Sequence, residues 1–178
     1  LSQLVSDTLG VKFDAIANPD LCPSQTLATL FQRNDTIYQQ NATWGIKPTW
    51  AKKLLINAQS ETAHVKPTIK LAFEQSRCLI PCSGWYEWRQ ENNKKVKYSF
   101  THINQQPFYM AGLLFNPHSP KLVTLTTKPT KKFGEIHKRM PALIPHNNID
   151  YWFSSSANEL SPLLLNPTDD NIVVTKVS

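Results

Sequence analysis

Cys78-Leu79-Ile80-Pro81 runs through Ser83-Gly84 into Trp85-Tyr86-Glu87-Trp88, and the polar Glu91-Asn92-Asn93-Lys94 then leads to Val96–Thr101. Branched and aromatic residues interrupted by Ser-Gly and Asn-Asn read as successive strands joined by tight turns. That reading decides the fold, because a strand, a hairpin turn and a return strand in so short a span seed an antiparallel meander. Pro107–Leu114 and Leu122–Thr127 continue it, and Pro141–Ile144 supplies another short strand. Upstream, Thr26–Phe31, Thr36–Trp44 and Lys53–Ile56 read the same way. Helical signals are fewer. Leu1, Leu4, Val5 and Leu9 form one stripe over Ser2–Gly10 with Gly10 as the stop. Thr62–Phe73 is helical beyond Pro67, Lys131–Ile136 forms a turn, and Ile149–Phe153 a last helix. The expectation is an α+β single domain over residues 1–178: a curved, mainly antiparallel sheet or open β-barrel with flanking helices.

Composition narrows the class. In 178 residues, 40% hydrophobic and 18% charged, there is enough apolar surface for a core and too little charge for a disordered polyelectrolyte or a coiled coil. No apolar run approaches the ~18 residues of a membrane-spanning helix, so no membrane partner is expected. Three cysteines, Cys22, Cys78 and Cys82, are too few and too odd for a disulfide framework, which points to reduced thiols in a cytoplasmic protein. The net charge of +6 is unevenly spread: residues 47–146 hold 16 basic and five acidic side chains, the remainder three basic and eight acidic. A basic middle fits a polyanionic partner, since phosphate binding releases counterions.

Four segments carry candidate chemistry. In Trp44-Gly45-Ile46-Lys47-Pro48-Thr49-Trp50, followed by Lys52 and Lys53, aromatics alternate with lysines as single-stranded nucleic acid requires; two core tryptophans beside a turn is the competing reading. Asn57, at the end of an apolar strand, offers an amide to orient a reacting group, or else caps a strand-to-helix junction together with Ser60, with Glu61 in the first helical turn. Glu87, between Trp85 and Trp88, is either a desolvated carboxyl that exchanges protons near neutrality or an ordinary edge-strand glutamate. His137, two residues from Arg139, is a candidate acid/base beside an anion-binding guanidinium, or a structural histidine. Cys78-x3-Cys82 lacks a second ligand pair, and glycine-rich phosphate loops and nucleophile elbows are missing. No metal or cofactor is implied. Cys82 and Cys78 are the thiol nucleophiles in hand, without a neighbouring cation to activate either.

In order, these segments resemble the SOS response-associated peptidase family, the SRAP domain. The matching residues are Trp44-Gly45 and Trp50, Asn57-Ala58 with Glu61-Thr62, Arg77-Cys78-Leu79-Ile80-Pro81 with Gly84-Trp85-Tyr86-Glu87-Trp88, Ala111-Gly112-Leu113, Leu125-Thr126-Thr127, and Ile136-His137-Lys138-Arg139-Met140-Pro141, spanning roughly residues 20–160. The resemblance implies an abasic-site sensor acting on single-stranded DNA, a cross-linking enzyme with lyase- and autopeptidase-like chemistry, working as a monomer in the cytoplasm and nucleoid-associated when engaged. An N-terminal cysteine upstream of Leu1 would close a thiazolidine on the sugar aldehyde, so the chain as written would be inactive and trimmed at both ends. By the same resemblance Asn57 positions that cysteine, Glu87 is the general acid/base and His137 assists proton transfer. Arg139, Trp44 and Thr126 contact DNA, and Pro23 wedges against bases. Gln59 replaces a basic residue of the family, which predicts a weaker phosphate grip. The chain ends Val173–Ser178, similar to the start of the family's last motif. The alternatives are a non-covalent single-stranded DNA binding module and a cysteine peptidase using Cys82 or Cys78 with His137.

Overall fold

The structure, a computed structural model, describes residues 1–165 and 167–177. In chain order the elements are α1 (Ser2–Leu9), β1 (Thr26–Arg33), β2 (Thr36–Trp44), β3 (Asn57–Gln59), α2 (Pro67–Gln75), β4 (Arg77–Cys82), β5 (Gly84–Glu91), β6 (Lys94–His102), β7 (Phe108–Phe115), β8 (Lys121–Thr127), α3 (Lys131–Gly134), β9 (Met140–Pro141), α4 (Ile149–Ser154), α5 (Ser161–Leu165) and β10 (Ile172–Lys176). The α+β class and the single domain hold.

The strands form two sheets. One runs β2-β1-β4-β7-β8-β3, with β9 added on β8 and a further β2–β8 pairing that closes the strands into a ring; the other runs β10-β6-β5. Tight two-residue turns set two of the hairpins. Asn92 (φ 46°) and Asn93 (φ 63°) join β5 to β6, and Asn34 (φ 50°) and Asp35 (φ 58°) join β1 to β2. Asparagine and aspartate tolerate this left-handed backbone, and two such residues in succession match the twist of the strands they connect. At the start of β5, a Cβ on Gly84 would lie 2.3 Å from the Phe100 carbonyl oxygen, so only glycine lets β5 and β6 approach there.

Several expectations change. The segment read as a strand over Lys53–Ile56 makes only an isolated Leu55–Ile46 bridge; the strand is Asn57–Gln59, so Asn57 opens it rather than ends it. β3 pairs with β8 in parallel, as does β2, so the large sheet is mixed. Pro141–Ile144 shortens to Met140–Pro141, with Leu143 bridging Met110. On α1 Val5 is fully buried while Leu1 and Leu4 stay exposed, a narrower stripe than the spacing indicated. The Val173–Ser178 stretch lies largely in β10, which pairs with β6; Ser178 is outside the described residues.

The main core packs Leu30, Phe73, Leu79, Leu113, Leu125, Ile144 and Trp152 between the strands and the helices, while Ala42, Cys78, Ile80 and Leu122 pack together on the other face of the same strands. Burying each such side chain contributes roughly 1.5–3 kcal/mol. Arg77 ties β4 to the helices: its guanidinium donates to the carbonyls of Phe73 (2.8 Å), Trp152 (2.9 Å), Phe153 (3.1 Å) and Ser155 (2.5 Å), satisfying the ends of α2 and α4. A second core lies behind β5. Trp85 stacks on Phe100 at 4.9 Å, with Phe108 and Phe133 edge-on around them.

Candidate active site

Glu87 lies on β5 two residues from Trp85, and strand alternation puts both on the inner face. Tyr86 and Trp88 take the outer face, where the Lys97 ammonium sits 3.9 Å from the Tyr86 ring centre and 5.4 Å from that of Trp88. Although β5 is an edge strand, the Glu87 side chain is only 19% exposed. Burial pushes its carboxyl up to about 7 from the ordinary 4.5, against the opposing pull of His137. The reading of Glu87 as a solvated edge glutamate therefore fails.

His137 Nδ1 is 3.6 Å from Glu87 Oε2. The same nitrogen lies 3.2 Å from the Arg139 amide nitrogen and 2.9 Å from the Arg139 carbonyl oxygen. A bare Nδ1 accepts from that N–H, and a protonated Nδ1 donates to that carbonyl. Either state of the ring has a partner, as a group that passes protons requires.

Arg139 does not project as a free cation. Its Nε donates to Thr126 Oγ1 (3.2 Å), one Nη to the Thr126 carbonyl (2.8 Å), and the two Nη together clasp the Glu61 carboxylate at 2.8 and 2.7 Å. Glu61 also accepts from the Lys128 amide. The Arg139 hydrogen bond is the largest of the influences that hold the Glu61 carboxyl below its ordinary range. Sequence reasoning read Glu61 as a helix-turn residue. It sits in the turn Ser60–Thr62 after β3, and its partner lies 78 residues away, beyond any local signal.

Asn57 begins β3 opposite Thr124, and Gln59 lies opposite Thr126, so β3 brings Asn57 alongside the strand that anchors Arg139. Asn57 is exposed. Neither of the capping roles weighed for Asn57 and Ser60 is realised: the turn has no side-chain cap, and the buried Ser60 hydroxyl makes no hydrogen bond among the described residues. Trp44 is half-buried, and its indole N–H donates to the Ile56 carbonyl at 2.9 Å, directly before Asn57. Pro23 adjoins it, since the Ser24 amide donates to the Trp44 carbonyl. An open groove of about 510 Å³ runs beside Trp44, with Lys47 and Lys121 on its lining. Trp50 is 68% exposed on the loop that carries Lys52 and Lys53. No hydrogen bond or ion pair among the described residues joins that loop to Glu87 or His137.

Cys78 and Cys82 do not supply a nucleophile. Cys78 is fully buried and Cys82 has its thiol pushed up to about 12 by burial, the reverse of the activation that a cysteine peptidase needs. Among the described residues no three His, Cys, Asp or Glu side chains converge as a metal site, and no helix is long and apolar enough to cross a membrane.

A largely buried carboxyl on β5 of the small sheet, beside an imidazole from the segment before β9 and next to a ring of strands, marks an α+β domain with a candidate acid/base site. The sequence pattern of the SOS response associated peptidase (SRAP) family matches residues 8–178, and the chain belongs to that family. It is 29% identical over 174 residues to "Abasic site processing protein YoqW" of Bacillus subtilis, covering 89% of this chain and 78% of that one. It is 25% identical over 145 residues to "Abasic site processing protein YedK" of Escherichia coli, covering 78% and 65%. The fold matches a crystal structure of a Bordetella bronchiseptica protein with a TM-score of 0.86, at 23% identity, over 100% of this chain and 96% of that one.

Proposed function

We propose that this protein captures abasic sites in single-stranded DNA and becomes covalently joined to them through a cysteine at the start of its mature chain. The observation that carries the reading is Glu87: a carboxyl near 7, 3.6 Å from an imidazole, in a chain of this family. Relatives named as abasic site processing proteins and the basic middle of the sequence support it.

An abasic deoxyribose must first open to its aldehyde, which moves a proton from the anomeric hydroxyl to the ring oxygen. A carboxyl half-ionised at pH 7 both gives and takes protons, so Glu87 serves both ends of that transfer. The cysteine α-amine, with a pKa near 8, then adds to the aldehyde. Loss of one water gives the imine, to which the thiol adds across C=N, closing the thiazolidine ring. Glu87 and His137 relay the protons, and Asn57 orients the attacking cysteine with its amide. Trp44 and Pro23 flank the lesion, Thr126 and Arg139 border the strand's path, and Trp50, Lys52 and Lys53 hold DNA further out through stacking and charge.

The test is direct. A version of this chain encoded to begin Met-Cys, with the initiator methionine removed so that the cysteine α-amine is free, forms with single-stranded DNA containing an abasic site an adduct that survives denaturing electrophoresis and has the mass of protein plus DNA minus one water. Absence of that adduct, with DNA still bound, would favour a purely non-covalent binding module.

A further inference from the structure

We infer that Glu61 is a positioning residue for the acid/base pair, holding Arg139 so that the Arg139 backbone presents the His137 ring to Glu87. The inference rests on the acid/base reading of Glu87 and His137 given above.

An arginine side chain has five N–H donors. Four of those of Arg139 are taken by protein acceptors, two on Glu61 and two on Thr126. A guanidinium so committed has one donor left for a phosphate. Its main work is to join three elements: the turn after β3 through Glu61, the end of β8 through Thr126, and the segment before β9 to which Arg139 itself belongs. The Lys128 amide, 3.2 Å from Glu61, adds a tie to the residue just beyond β8. Among the described residues, the hydrogen bonds of the His137 ring are with main-chain atoms of Arg139, at 2.9 and 3.2 Å. Whatever moves the Arg139 backbone therefore moves His137 relative to Glu87, and a shift of ~1 Å at such a contact is enough to change a rate up to ~100-fold.

Several other charged groups on β5 and the strands beyond it have partners of their own. Arg89 and Lys176 both pair with Glu91, which also accepts from Tyr98. Lys97, on the outer face, pairs with Asp20. His137 is the charged partner whose field bears on Glu87, so the position of His137 is readable at Glu87.

The experiment uses the full chain beginning Met-Cys, with Glu61→Gln and Glu61→Asp. Three quantities are measured: the single-turnover cross-linking rate at saturating DNA, the Kd for single-stranded DNA carrying a tetrahydrofuran abasic analogue that cannot cross-link, and the titration midpoint of the Glu87 carboxyl by carbon NMR. Glu61→Gln is expected to slow cross-linking about tenfold, leave Kd within about twofold and raise the Glu87 midpoint, because its cationic neighbour has moved away. Glu61→Asp, which keeps the charge, recovers most of the rate. An unchanged rate and midpoint would overturn the inference, and so would a loss confined to Kd. If Glu61→Gln does not fold, Thr126→Val removes a single Arg139 acceptor and is expected to act in the same direction, about threefold; no change in rate or midpoint would count against the inference equally. Should the parent protein form no adduct at all, the functional reading fails, while the Glu87 midpoint still reports whether the Glu61 clamp sets the pair.

Discussion

Glu61 and Glu87 are buried to a similar degree, 24% and 19% exposed, and their carboxyls are driven in opposite directions. Glu61 receives two guanidinium N–H groups and one amide N–H, which favour the carboxylate. Glu87 accepts no hydrogen bond among the described residues, lies in line with Trp85 and faces an imidazole at 3.6 Å, so desolvation dominates. Removal from water does not by itself decide a carboxyl's state. The donors aimed at it do. On the function proposed above, one glutamate is a fixed anion that organises the backbone, and the other a proton carrier.

The comparison breaks most visibly in chemistry. Replacing Glu87 with Gln keeps the shape and removes the proton exchange, so the single-turnover cross-linking rate should fall about 100-fold or more while Kd for the uncleavable DNA analogue stays within about twofold. Stability should respond in the opposite sense. The folded-state carboxyl at about 7 lies above its ordinary 4.5, so the native state binds more protons than the unfolded chain between those values. The wild-type protein therefore loses stability as pH rises from about 4.5 through 7, and Glu87→Gln should escape that loss, by about 3 kcal/mol at pH 8 and by nothing near pH 4. Urea unfolding at the two pH values measures it.

At Glu61 the sign reverses. Its depressed carboxyl contributes stability that is present above the ordinary 4.5 and disappears as pH falls through the lower folded value. Arg139→Met, which strands Glu61, should cost about 1.5 kcal/mol near neutrality and much less in acid, where Glu61 is neutral. The smallest effect belongs to Cys82→Ala: the cross-linking rate should stay within about twofold, because a thiol pushed up to about 12 holds almost no thiolate at pH 7.

Much of the fold was legible because its signals are local. Ser83-Gly84, Asn92-Asn93 and the aromatic alternation around them mark β5 and β6, and Pro67 and Gly10 mark helix ends. The parallel pairing of β3 with β8 was not legible, since three residues cannot announce a partner some 65 positions later. Nor was the division into two sheets, which depends on where the β5–β6 hairpin packs. At the site, Asn57, Glu87 and His137 were singled out by residue type and neighbours, while the partners of Arg139 were hidden. A guanidinium two residues from a histidine looks like an anion binder until Glu61 is seen to occupy it.

On the proposed function, Glu87 exchanges protons near neutrality because burial raises it, and this exchange drives adduct formation. The measurement that tests it most directly is the single-turnover cross-linking rate of the Met-Cys chain across pH 5–9, for wild type and Glu87→Gln, alongside the carbon NMR titration of Glu87. The expected result is a carboxyl midpoint near 7, a wild-type profile that bends at that midpoint, and a slow Glu87→Gln profile lacking the bend. A midpoint near the ordinary 4.5, or a Glu87→Gln rate equal to wild type across the range, would contradict it.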